Sequence, residues 1–168
     1  MLRLRLNKKG LVRKMKIIKN INERLTYGEG DFCYGGDEKI KKVLSESPVK
    51  LPDDYIEFLR SISGDKNVGI GFQVDKGGAM IFIWSAEVAL EKRNREFNYS
   101  FNKDFMNCTW MIGDDVGDLI YFYGEGNGGF GIYRAEAGAL DINDSDKIAD
   151  SLTEFLVEGV GIDVAITL

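Results

Sequence analysis

The sequence predicts a single α+β domain, a mainly antiparallel sheet flanked by helices. Three observations point there. Apolar residues recur at helical spacing through residues 37–63 and again near the C-terminus. Between those stretches the apolar period falls to two. The strand-like segments are joined by short turns rich in glycine and aspartate, which suit hairpins rather than crossover connections. At 168 residues and 44% hydrophobic content, the chain is long and apolar enough to close one core. No apolar run approaches the ~20 residues of a membrane span. The basic N-terminus is not followed by an apolar stretch of the signal-peptide kind, so a cytoplasmic protein is expected. Cys33 and Cys108 fit no zinc or redox spacing and read as free thiols of a reducing compartment.

The elements follow in order. Residues 1–14 form a basic extension, read either as a flexible leader or as an arm packed on the domain, since Leu2, Leu4 and Leu6 alternate. The domain proper spans 15–168. Residues 15–25, opening on Met15, have nearly helical apolar spacing, and the glycines of 27–36 mark a loop. Asp37 opens a helix with Ile40, Val43 and Leu44 on one face, ended by Pro48. In residues 51–64, Pro52 has no N–H to lose in a first turn, and Asp53 and Asp54 face the positive end of the helix dipole. Tyr55, Phe58, Leu59 and Ile62 make one buried face, and Gly64 supplies the stop.

After Gly64, Val68, Ile70, Phe72 and Val74 alternate as a half-buried strand. Lys76-Gly77-Gly78 turns the chain into the apolar run 79–84, completing a hairpin. Ser85 caps a helix running to about Phe97. Residues 98–106 read as an ordered loop. Strands are expected at 108–112, 118–123 and 129–134, with Ala137-Gly138-Ala139 opening a loop. A last helix is expected from Asp146, burying Ile148, Ala149, Leu152, Phe155 and Leu156 and stopped by Gly159. The alternation of Val160, Ile162, Val164, Ile166 and Leu168 suggests a terminal strand or apolar arm.

Three of these stretches together resemble the SUKH superfamily. They are the Leu-Pro-x-x-Tyr-x-x-Phe-Leu helix at Leu51 to Leu59, the Gly/Asp hairpin from Ile112 to Phe122, and the closing helix from Ile148 to Leu156. The resemblance covers roughly Asp37 to Glu158. It implies a SUKH-like single domain that binds protein, as in fungal cell-wall-assembly regulators and bacterial toxin-immunity proteins. In that family the Gly/Asp hairpin is structural.

Charge sharpens the expectation. The chain holds no histidine, which removes Ser-His and Cys-His catalysis and His-ligated metals. Net charge is −5, unevenly placed. Residues 1–14 hold six basic groups and no acid, residues 15–103 balance, and residues 104–168 hold 13 acids against Arg134 and Lys147. Such a C-terminal third is unsuited to nucleic acid, which wants clustered cations. Gly124-Glu-Gly-Asn-Gly-Gly129 spells a nucleotide-loop string, but a strand follows it where a phosphate site needs a helix N-terminus. Asp114, Asp115 and Asp118 carry oxygens that suit Ca²⁺ or Mg²⁺, yet their spacing is not that of an EF-hand, and Gly113 with Gly117 accounts for the segment as a turn. Paired carboxylates of the glycosidase kind are the remaining enzymatic reading.

The sequence therefore points to a non-enzymatic binding domain with no cofactor, no metal and no membrane role. The resemblance makes its partner a basic toxin domain, such as a nuclease. The expected binding face comprises Asp114, Asp115, Asp118, Glu125, Asp141, Asp144 and Asp146, with Tyr121 and Tyr123 as aromatic anchors. A cytosolic regulatory adaptor is the alternative, and a carboxylate-dependent hydrolase a further one.

Overall fold

A computed structural model describes residues 20–27, 36–63, 66–73, 79–99 and 102–167. The basic extension, Met15, Cys33, Gly64, Val74, the Lys76-Gly77-Gly78 turn and Leu168 lie outside the described residues.

Among the described residues seven strands form one sheet in sequence order, every neighbouring pair antiparallel. They are β1 (Leu25–Tyr27), β2 (Val68–Phe72), β3 (Met80–Ile83), β4 (Thr109–Asp114), β5 (Leu119–Gly126), β6 (Gly129–Glu136) and β7 (Asp146–Ala149). Two helices, α1 (Asp37–Glu46) and α2 (Asp53–Ser61), precede β2. α3 (Ala86–Glu91) follows β3 and continues as a π-helical turn, Lys92–Glu96. α4 (Lys103–Cys108) leads into β4. A π-helical segment, α5 (Glu154–Glu158), and the short α6 (Ile162–Ala165) close the chain.

α2 forms as its sequence predicts. Tyr55, Phe58 and Leu59 are buried, and Asp53 and Asp54 occupy the first turn. Pro52 sits one step earlier, at the N-cap, with extended backbone. The helix lies on the sheet face that carries Trp110, Tyr121 and Tyr123. The Tyr55 ring meets Tyr123 at 5.5 Å, and the Tyr55 hydroxyl accepts the Trp110 Nε1–H at 3.1 Å. The opposite face carries Phe122, which meets Phe105 of α4 edge-on at 4.7 Å. β5 is thus buried on both faces, which is why its apolar run is continuous.

Several elements depart from the sequence reading. Asp146–Ala149 is a strand, because β6 offers it a ladder; a bulge beside Ile132 lets adjacent Ile148 and Ala149 both turn inward. The helix that was expected from Asp146 starts only after it. The tail is not a strand: Gly159 and Gly161 take left-handed conformations (φ 79° and 75°), and α6 then buries Ile162 and Ala165 on one face. Residues 103–108 are helical rather than a loop, with Phe105 and Met106 buried. Leu25 lies in a strand, and Leu44 is half exposed on α1. The predicted cap of α3 is present, Ser85 accepting the Val88 N–H.

Candidate functional site

The first group of predicted binding acids sits at the β4–β5 turn. Chain direction puts that turn at one end of the sheet, where Leu119 pairs with Glu136. Asp114 accepts the Trp84 Nε1–H at 2.9 Å through one oxygen and the Val116 N–H at 3.0 Å through the other. Asp115 accepts the N–H groups of Gly117 (2.8 Å) and Leu119 (3.1 Å) through Oδ1. These two carboxylates therefore fold the turn, with part of each exposed. Asp118 is exposed. Between them, Val116 stands 73% exposed with a positive φ of 65°. Gly113 is required where it is, since a Cβ there would strike the Phe82 carbonyl oxygen across the β3–β4 ladder.

Glu125 lies toward the other end of β5. It lines a surface groove with Val49, Lys50, Leu51, Pro52, Asp53 and Phe130. The string Gly124 to Gly129 contributes to β5, the Asn127–Gly128 turn and the start of β6, so strands flank it on both sides. The left-handed backbone this turn needs falls at Gly129, whose φ is 83°.

Asp141, Asp144 and Asp146 belong to the long β6–β7 connection and the start of β7, and all three are exposed. Asp141 accepts the Asn143 N–H, and Ile142 of the same loop covers Gly124. Asp146 pairs with the buried Arg134 at 3.4 Å. Burial raises the Cys108 thiol, and the nearby carboxylates of Asp104 and Asp141 raise it further.

Tyr121 and Tyr123 are not surface anchors. They are 1% and 0% exposed, and Tyr123 meets Tyr55 of α2. Burial pushes both hydroxyls above the ordinary tyrosine range, more strongly for Tyr123. The expected set thus divides into a turn-end group (Asp114, Asp115, Asp118), Glu125 beside the α2 N-terminus, and the loop acids (Asp141, Asp144, Asp146). Three further acids join these groups: Glu136 at the turn end, Asp53 at the groove and Asp104, which like Asp141 acts on the Cys108 thiol. Hairpin register would have revealed Glu136; the other two depend on tertiary contact. Among the described residues no three His, Cys, Asp or Glu side chains come together as metal ligands would.

Charge in residues 104–168 is mostly of one sign. Of the 13 acids in residues 104–168, ten are exposed and three, Asp114, Asp115 and Glu154, are half-buried. The two bases of that third are both engaged. Arg134 donates to the Thr167 carbonyl and hydroxyl as well as pairing with Asp146, and Lys147 pairs with Asp150.

This arrangement, a meandering sheet behind an acidic helix start and a Gly/Asp hairpin, agrees with comparison to known families. The model of the SMI1 / KNR4 family (SUKH-1) matches residues 36–158. The chain belongs to that family. The SUKH-1 match opens at α1 and ends with α5, so it takes in β2 through β7 and leaves out β1 and α6. Within it, the Leu-Pro-x-x-Tyr helix supplies the core ring Tyr55, and the Gly/Asp hairpin supplies the Asp114 acceptor for Trp84. No curated protein matches the chain.

Proposed function

We propose that this SUKH-1 domain is a non-catalytic, cytoplasmic immunity protein that neutralises a cognate toxin through its acidic surface. The observation that carries the reading is the acidic excess of the C-terminal third, 13 acids against two bases, of which Asp146, Asp150 and Asp163 are in ion pairs. All 13 of its acids reach solvent in whole or part, while Arg134 and Lys147 are held in internal pairs. A carboxylate surface of this kind attracts a basic partner from a distance and opposes anionic ones. A toxin that acts on phosphate backbones needs a cationic cleft, and carboxylates complement such a cleft. Asp115, Asp118 and Glu136 share the turn end of the β5–β6 ladder, and they are assigned to first contact.

The testing experiment is affinity capture of the tagged chain from its native host, followed by sequencing of the genes beside its own. Recovery of a basic toxin domain encoded next to it supports the reading. Recovery of cell-wall synthesis components from an unlinked locus would instead favour the regulatory-adaptor role.

A further inference from the structure

A second feature of the surface has a defined chemistry of its own. The groove between the α1–α2 connection and the β5–β6 hairpin has an apolar floor and a charged rim. Leu51, Pro52 and Phe130 form the floor with Val49; Asp53, Glu125 and Lys50 stand exposed around it. The floor is rigid. The Phe130 ring stacks on buried Tyr123 at 5.8 Å and 8° between planes, and Pro52 has its φ fixed by its ring. Ordered apolar walls lose little entropy when a side chain is laid against them. The rim is reactive in charge. Neither Asp53 nor Glu125 has a hydrogen bond or ion pair among the described residues, in contrast to Asp114 and Asp115, whose oxygens are occupied by the turn. Lys50 is likewise unpaired there, so the rim is net negative by one charge.

We propose that this groove is an anchor site for an extended segment of the protein partner in which an aromatic or large aliphatic residue is followed by arginine or lysine. The apolar side chain lies against Phe130 and Pro52. The cation reaches Glu125 and Asp53, and a carboxylate at that position would be repelled. Apolar anchors beside charge-assisted hydrogen bonds are the usual composition of an interface hot spot. The assignment rests on the protein-binding reading above and adds to it the place and the recognised chemistry.

The test uses the full chain, ¹⁵N-labelled, titrated with the capped peptide Gly-Trp-Arg-Gly and with its Gly-Trp-Glu-Gly and Gly-Ala-Arg-Gly analogues. The first peptide is expected to give saturable amide shifts at Leu51, Asp53, Glu125 and Phe130. Replacing arginine by glutamate should weaken binding about fivefold or more, and replacing tryptophan by alanine should abolish saturation. Glu125→Lys, a change at an exposed side chain, should reverse the preference between the first two peptides. Shifts centred on other residues, equal affinity for the arginine and glutamate peptides, or the same groove shifts on concentrating the protein alone would overturn the proposal, the last by showing a second copy as occupant. Capture of a toxin by a Glu125→Lys protein at unchanged affinity would remove the groove while leaving the immunity reading in place. Peptide binding without any toxin partner would do the reverse.

Discussion

Asp54 and Thr153, 99 residues apart, are joined by two hydrogen bonds of 2.8 Å. The Thr153 backbone N–H and its hydroxyl both donate to Asp54 Oδ2. The other Asp54 oxygen accepts the Tyr55 N–H at the start of α2. One carboxylate therefore ties the first turn of α2 to the first turn of the closing helix, acting as a cap supplied from outside that helix. The family's helix motif and its closing motif meet at this atom.

Replacing Asp54 by alanine removes both bonds to Thr153 and is expected to cost about 2 kcal/mol of unfolding free energy. Thr153→Val, which keeps one of the two, should cost roughly half as much. Urea denaturation of both variants checks this. An Asp54→Ala loss under about 0.5 kcal/mol would show that the two helices dock without the carboxylate.

Val116 is β-branched and holds a positive φ in the β4–β5 turn. Left-handed backbone costs such a residue about 1–2 kcal/mol, partly offset by the extra unfolded-state entropy of a glycine put in its place. Val116→Gly should therefore raise stability by about 0.5–1 kcal/mol, read as a higher denaturation midpoint. A lower midpoint would mean that the exposed valine makes contacts that outweigh its strain.

Three buried tyrosines make the fold sensitive to alkali. Burial raises the hydroxyls of Tyr55, Tyr121 and Tyr123 above their ordinary value of about 10. The folded state thus keeps protons that the unfolded state releases. Their contribution is complete below about pH 10 and is lost as pH rises beyond it. Stability should fall steeply above about pH 10, with tyrosinate absorbance from these rings appearing together with unfolding. Ionisation of all seven tyrosines in a still-folded protein would contradict the burial of these three.

Much of this fold was legible in the chain because local chemistry and tertiary contacts agreed. Pro52, the two aspartates and the Tyr55/Phe58/Leu59 face specify α2 without help, and Ser85 specifies the start of α3. Ile148, Ala149 and Leu152 fit a helix face equally well; pairing with β6, with Ile148 as the extra residue of a bulge, made the first two a strand. Nothing local records that choice. The tail alternates as a strand would, but two left-handed glycines turn it back into a helix against β7. The site was legible in composition and not in geometry. Sequence shows that the last third is acidic, whereas which carboxylates are taken up by turns depends on Trp84, 30 residues before Asp114, and on the turn amides. Tyr121 and Tyr123 were misplaced for a related reason. A central strand covered on both faces has no solvent side for alternation to reveal.

In the proposed role, surface carboxylates guide a basic partner onto this domain. This guidance is tested most directly by the association rate with the captured partner, measured by stopped flow at about 0.05 M and about 0.5 M salt, for the natural chain and for Asp118→Lys/Glu136→Lys. Asp115 is left unchanged because it folds the turn. Electrostatic guidance implies a rate at least about tenfold slower at high salt, and a double variant that folds normally, associates more slowly at low salt and has lost most of the salt dependence. A rate indifferent to salt, or a double variant as fast as the natural chain, would contradict it.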